Sequence, residues 1–195
     1  MHRYDFTRAR VGGLTLNIGC GNEPLELERV LPGNVIQFDF DAWNLPNSVQ
    51  GDAHNLPFKD KVFDVVVMAD VIEHLVNPLQ ALREARRVGK KLVASIFQEW
   101  LLGYGQHIQK AQKMHQAKTG FGDASEVLEE YKAKHQVLRV MSEKAYPHLL
   151  HINQFTWPKL KRIIEAAGWT IQYQGASMDG IHEGHTLSSW LVEAI

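Results

Sequence analysis

The run Leu14-Thr15-Leu16-Asn17-Ile18-Gly19-Cys20-Gly21 decides how this chain folds. A short apolar strand that leads straight into a glycine turn lets a ligand approach the backbone closely. A second apolar run, Val35-Ile36-Gln37-Phe38-Asp39, ends in an acid. That carboxylate stands roughly 20 residues beyond the turn, at the tip of the next strand, where it is placed to bind a ribose diol. The two runs together predict an adenosine-bearing cofactor lying across the carboxyl ends of a parallel sheet. The pattern alone leaves open which cofactor it is.

Outward from this pair, the chain keeps alternating. Pro24 to Leu31 reads as a short helix, with Pro24 in the first turn, where its missing amide proton costs nothing. Val49 to Gly51 is a stub of a third strand. Val62-Phe63-Asp64-Val65-Val66-Val67-Met68 is β-branched and nearly continuous, as in a strand buried on both faces. Val71 to Val88 has helical period, with Val71, Leu75, Leu79, Leu82 and Ala85 on one face. Asp70 is the expected N-cap, with Glu73 three residues on, and Asn77-Pro78 bends or restarts the helix. Lys91 to Phe97 is the next strand. Such alternation implies an α/β doubly wound, mostly parallel, Rossmann-like sheet.

From Gln98 to His151 the composition shifts to Lys, Gln, Glu, His and Ala, with helical signals over Ile108 to Lys118 and Ser125 to Val140. This is read as a helical insertion, residues 98–151, within a single domain spanning 1–195. The α/β rhythm then resumes. Thr156-Trp157-Pro158 opens a helix to Ala167, Gly168 ends it, Trp169 to Gln174 is a strand, and Thr186 to Ile195 is a terminal strand.

A chain of 195 residues with 45% hydrophobic content builds one well-buried domain and not two. The net charge of -1 gives no overall pull toward nucleic acid. Cys20 is the sole cysteine, so no intrachain disulfide forms. The polar start, Met1-His2-Arg3-Tyr4-Asp5-Phe6, lacks the apolar core of a secretion signal, and no apolar run suffices for a membrane span. A soluble cytoplasmic protein is the expectation.

Charge discriminates between cofactors. A dinucleotide turn counted from Gly19 wants a third glycine where Pro24 stands, and Glu23, Glu26 and Glu28 crowd the helix start that would hold a pyrophosphate. Carboxylates there oppose a doubly negative group. S-adenosylmethionine carries a sulfonium and an ammonium against one carboxylate, and an acidic turn tolerates it better. Downstream, Gly51-Asp52-Ala53-His54-Asn55-Leu56-Pro57-Phe58 places an acid beside a small residue, suited to the adenine amino group.

At this point the chain resembles the class I S-adenosylmethionine-dependent methyltransferases of the broad small-molecule type (methyltransferase domain 11-like). Leu16-Asn17-Ile18-Gly19-Cys20-Gly21 is similar to their glycine-rich motif, Asp39 to the ribose-binding acid and Asp52-Ala53 to the adenine pair. Ala69-Asp70 with Glu73-His74-Leu75 is similar to the motif after the fourth strand, and Leu160 to Trp169 to the family's fifth helix. The resemblance covers about residues 14–97 and 155–174. It implies cofactor-binding residues Gly19, Cys20, Gly21, Asp39, Phe40, Asp52, Ala53 and Asp70. It also implies a last strand inserted antiparallel between those starting near Lys91 and Trp169. The chain departs from the family in having Glu23 at the third glycine of the motif, a very short first helix and almost no N-terminal helices. The departures shift the task of covering the site onto residues 98–151.

Within these readings, Asp41 competes with Asp39 for the ribose and is assigned to the following turn. Phe40 either covers adenine or joins the core. Asp64, far from the ligand end, is structural, and Cys20 is a small unreactive turn residue. His182-Glu183-Gly184-His185 lacks a third ligand and reads as a solvated loop, not a metal site. Tyr104, His107, His148 and His151 are read singly as structural or surface residues. No catalytic residue is assigned. The acceptor is expected to be a small molecule, of unassigned chemistry. The competing classes are a catalytically inactive methyltransferase-fold scaffold and an NAD(P)-dependent oxidoreductase.

Overall fold

The protein is described from a computed structural model covering residues 1–23, 25–98, 153, 155–182 and 185–195. Pro24 and the insertion beyond Gln98, with its expected helices, lie outside the described residues. So do Glu183 and Gly184 of the histidine loop.

The β-branched runs form the strands that their composition calls for. In chain order these are β1 (Thr15–Ile18), β2 (Val35–Asp39), β3 (Ser48–Gln50), β4 (Phe63–Ala69), β5 (Gly89–Phe97), β6 (Ile171–Ala176), β7 (Gly180–His182), β8 (His185–Leu187) and β9 (Ser189–Ala194). Among the described residues, seven of them form one sheet in the order β3-β2-β1-β4-β5-β9-β6, and β7 pairs with β8 as a separate hairpin. The first five run parallel. β9 lies antiparallel between β5 and β6, as the resemblance implies.

Alternation along β4 assigns the two faces of the sheet. Val66 and Met68 point into a core with Leu16, Ile18, Phe38, Leu82, Ala85, Leu160 and Ile164. Val65 and Val67 point the other way, into a second core with Val35, Val93, Leu191, Leu27 and Phe6. The first core belongs to helices α3 (Pro78–Val88) and α4 (Trp157–Ala166), the second to α1 (Arg3–Arg8) and the four-residue α2 (Leu27–Val30). Each fully buried aliphatic or aromatic side chain contributes about 1.5–3 kcal/mol of transfer free energy, so both faces hold the sheet. Parallel strands buried on both sides are the reason that these runs are apolar without interruption.

Four expectations are corrected here. Helix α1 was missed: its six residues give no readable period, yet Phe6 is fully buried against the sheet. The helix expected over Val71 to Val88 is two pieces, a 3₁₀ turn at Ile72–His74 and α3. Leu75 is extended, the residue before Pro78 is sterically barred from the helical region, and Asn77 caps α3 by accepting the Gln80 amide at 3.1 Å. The strand expected from Trp169 starts at Ile171, because Trp169 is buried under α3 with its indole N–H donating to Leu82 O at 3.0 Å. The terminal strand begins at Ser189 and not at Thr186, which belongs to the β7–β8 hairpin.

Candidate cofactor site

Because β1 to β5 are parallel, Gly19, Asp39, Gly51, Asp70 and Gln98 all emerge at one edge of the sheet. The amides of Gly19 and Cys20 both donate to Phe38 O, at 2.8 and 3.2 Å, which ties the turn after β1 to β2. Gly19 sits at φ +68°, and a Cβ there would lie 2.3 Å from Val71 Cγ2. Only glycine meets both demands. Gly21, at φ +52°, faces open space instead, with nothing within 4 Å of a Cβ. The turn is thus packed on its inner side and open on its outer side.

Asp39 accepts the Gly21 amide through Oδ2 at 2.8 Å and the Asp41 amide through Oδ1 at 3.0 Å. Each carboxylate oxygen has a second lone pair for a hydroxyl. A cleft of about 220 Å³ opens beside it, lined by Cys20, Gln37, Asp39, Asp41, Trp43 and Gln50 among others. Asp41 therefore shares the cleft, although its amide is what fixes Asp39. Phe40 is 72% exposed, which removes the core alternative for that ring. Cys20 is buried, its thiol lies 3.6 Å from Gly21 O, and burial together with the Asp39 charge pushes it up to about 12. It is a spacer with no thiolate at neutral pH.

Glu23, at the motif's third glycine position, has φ +60°. Its Oε1 accepts the Leu27 amide at 2.7 Å, so the first turn of α2 already holds a carboxylate. Burial raises the Glu23 carboxyl above its ordinary value, with Glu26 and Glu28 adding to the rise against the Leu27 bond and the Arg8 charge.

The loop after β3 returns to the same place, since the Gly51 amide donates to Asp39 O at 2.8 Å. Asp52 is next in sequence, and its Oδ1 receives the His54 amide at 2.9 Å. Ala53 packs against the larger core. Burial opposes ionisation of Asp52, but the hydrogen bonds from the His54 amide and ring outweigh it and hold the carboxyl below its usual range.

Asp70 does not cap a helix. It has φ +55°, its Oδ1 accepts the Ser95 hydroxyl at 2.9 Å, and its Oδ2 lies 2.6 Å from Arg3 Nε. Glu73 is buried and accepts the Phe97 amide at 2.8 Å, joining the 3₁₀ turn to the end of β5. Asn153 donates its amide to Glu73 O at 2.9 Å and its side-chain nitrogen to Leu75 O at 2.6 Å. Both flanks of residues 98–151 are therefore fixed at this edge. Sequence reasoning missed Arg3 and His54, whose roles show only when distant segments meet. Among the described residues, no group of three or more His, Cys, Asp or Glu side chains is arranged to hold a metal ion.

Residues 16–95 match the family described as the methyltransferase domain. The uncharacterized protein YafS of Escherichia coli K12 is 33% identical over 85 residues, 44% of this chain. Those residues are 32% of YafS, so the chain spans about a third of the curated relative it matches. An S-adenosylmethionine-dependent methyltransferase from Methanosarcina mazei superposes with a TM-score of 0.62 at 16% identity, covering 100% of this chain and 98% of its own. The [4+2]-cyclase SpnF gives 0.62 at 16% identity, over 98% of this chain and 78% of its own. Magnesium protoporphyrin IX methyltransferase from Synechocystis, solved with bound S-adenosylhomocysteine, gives 0.55 at 16% identity, over 98% and 80%. At such identities the likeness establishes the fold. No helix among the described residues is long and apolar enough to cross a membrane. Residues 16–95 thus match the methyltransferase-domain family, and the sheet as a whole shares the fold of these S-adenosylmethionine-dependent methyltransferases.

Proposed function

We propose that this chain binds S-adenosylmethionine along the edge formed by Gly19, Cys20, Gly21, Asp39, Phe40, Asp52, Ala53 and Asp70, and moves its methyl group to a small-molecule acceptor. The observation that carries the reading is the Asp39 carboxylate, held by the Gly21 and Asp41 amides beside an open cleft. A fixed carboxylate next to a bare glycine suits a ribose diol lying against the backbone.

The donor set fits this cofactor better than a dinucleotide. The Leu27 amide at the start of α2 is taken by Glu23, the Gly21 amide by Asp39, and α2 is only four residues long. A pyrophosphate would meet carboxylates where it needs free amides. S-adenosylmethionine has no phosphate, and its cationic sulfonium and ammonium gain from the same charges.

When bound, the cofactor supplies a methyl carbon activated by the sulfonium. The chain's own contribution is to bind, align and dehydrate, since in-line displacement gains chiefly from positioning. Gly19 and Gly21 give backbone approach, Asp39 orients the ribose, Asp52 the adenine, and Phe40 covers the ring. The flanks of the stretch 98–151, at Phe97 and Asn153, attach at this edge, and the choice of acceptor is assigned to that stretch.

Calorimetric titration with S-adenosylhomocysteine, NAD and NADP tests the reading. Binding of the first alone supports it. Binding of NAD or NADP makes the chain an oxidoreductase, and binding of none makes it a methyltransferase-fold scaffold.

A further inference from the structure

His54 makes two contacts that fix its chemistry. Its Nδ1 lies 2.6 Å from Asp52 Oδ1, and its Nε2 accepts the Asn77 amide at 3.1 Å. A carboxylate only accepts and an amide N–H only donates, so the proton must sit on Nδ1 and the lone pair on Nε2. The ring is a strut between the loop after β3 and the start of α3. The strut is braced in turn. Gln80 Nε2 donates to His54 O at 3.4 Å, while the Gln80 amide is held by Asn77 Oδ1 at 3.1 Å. A few residues on, the Leu56 amide donates to Glu84 Oε2 at 2.9 Å and Arg87 donates to Leu56 O and Phe58 O, so the whole loop is anchored on α3.

The consequence falls on Asp52. Both the His54 amide and the His54 ring occupy Oδ1. Among the described residues, Oδ2 accepts no hydrogen bond, and the side chain is 55% exposed at the edge where Asp39 stands. An unrestrained aspartate on a surface loop would share its rotamers among several positions, whereas this one has a single oxygen pinned and the other presented.

We propose that His54 is a positioning residue for base recognition: by holding Asp52 Oδ1 it presents Oδ2 to the 6-amino group of adenine, so that the chain selects adenine over a 6-oxo purine. This rests on the reading that Asp52 meets the adenine. A 6-amino group donates to the carboxylate, while a 6-oxo group sets oxygen against oxygen. The selectivity then depends on how firmly Asp52 is held, because a carboxylate free to rotate away loses both the attraction and the repulsion.

The test compares S-adenosylhomocysteine with its deaminated analogue S-inosylhomocysteine by calorimetry, on the full chain and on His54→Ala and His54→Asn. Thermal melting checks that each variant is folded. Native protein is expected to favour the adenosine compound about 10- to 100-fold, the range for one hydrogen bond to a charged group. His54→Ala should lose most of that preference, mainly by weakening the adenosine compound. His54→Asn, whose amide nitrogen reaches Oδ1 in place of Nδ1, should recover it. If the native chain shows no preference, the assignment of Asp52 to adenine fails and the proposal fails with it. If the native chain discriminates and His54→Ala discriminates equally, or weakens both compounds alike, Asp52 reads the base unaided and His54 merely supports the loop.

Discussion

Arg3 Nε lies 2.6 Å from Asp70 Oδ2, and the same guanidinium reaches Asp179 Oδ2 at 3.1 Å. One side chain on α1 therefore joins the end of β4 to the segment after β6. The Arg3 amide adds a bond to Asp179 Oδ1 at 3.0 Å. A charge-assisted contact of this kind is worth about 1.5–3 kcal/mol, and Arg3→Ala should lower folding stability by that order. Arg3→Lys should recover only part of this, because one ammonium nitrogen replaces the two guanidinium nitrogens, Nε and Nη1, that meet the two carboxylates. Urea denaturation measures both, and an Arg3→Ala variant as stable as the native chain would show that α1 is not fastened here.

The same cluster has a predicted pH signature. Burial pushes the Asp179 carboxyl up, but the Ser177 hydroxyl, the Arg3 amide and the Arg3 charge together hold it below the ordinary aspartate range. A carboxyl depressed on folding contributes all its stability above the unfolded-state value of about 3.9 and loses it as pH falls through the folded-state value. The difference in melting temperature between native protein and Asp179→Asn should be constant from neutral pH down to about 5 and shrink below about 4. A difference that grows on acidification would reverse the assigned sign.

Gly19 and Gly21 look alike in the sequence and should respond differently to alanine. At Gly19 the new methyl would overlap Val71, so Gly19→Ala should cost about 1–3 kcal/mol of overpacking besides the left-handed backbone penalty of about 1–2 kcal/mol. Gly21→Ala meets no neighbour and should carry the backbone penalty alone. Adding Val71→Ala should restore part of the Gly19→Ala loss and none of the Gly21→Ala loss. Equal denaturation midpoints for the two single variants would contradict the packing described.

Much of this was legible in the chain because both faces of the central strands are buried. An uninterrupted apolar run such as Val65-Val66-Val67-Met68 suits a strand with no solvent-facing side, and parallel order follows from strands alternating with helices. The candidate edge follows in part from the same runs: Gly19, Asp39 and Asp70 each stand at the end of such a strand or just after it, whereas Asp52 follows the short, exposed β3. What stayed hidden depends on distant partners or on unusual backbone. Asp70 resembled an N-cap by spacing, but its positive φ and its contact with Arg3 belong to tertiary structure. Helix α1 is held by Phe6 in the core and Arg3 at the sheet edge, not by its own periodicity. The β7–β8 hairpin adjoins β9 with one intervening residue, so pattern alone merged them.

The central claim is that Asp39, fixed by the Gly21 and Asp41 amides, holds the cofactor's ribose. Calorimetric titration of S-adenosylhomocysteine into native protein, Asp39→Ala and Asp41→Ala tests it most directly, with melting curves to confirm that each variant is folded. Binding should weaken in Asp39→Ala by about 1.5–3 kcal/mol, the range for a hydrogen bond to a charged group, and change little in Asp41→Ala. Unchanged affinity in Asp39→Ala, with the loss appearing in Asp41→Ala instead, would contradict the account.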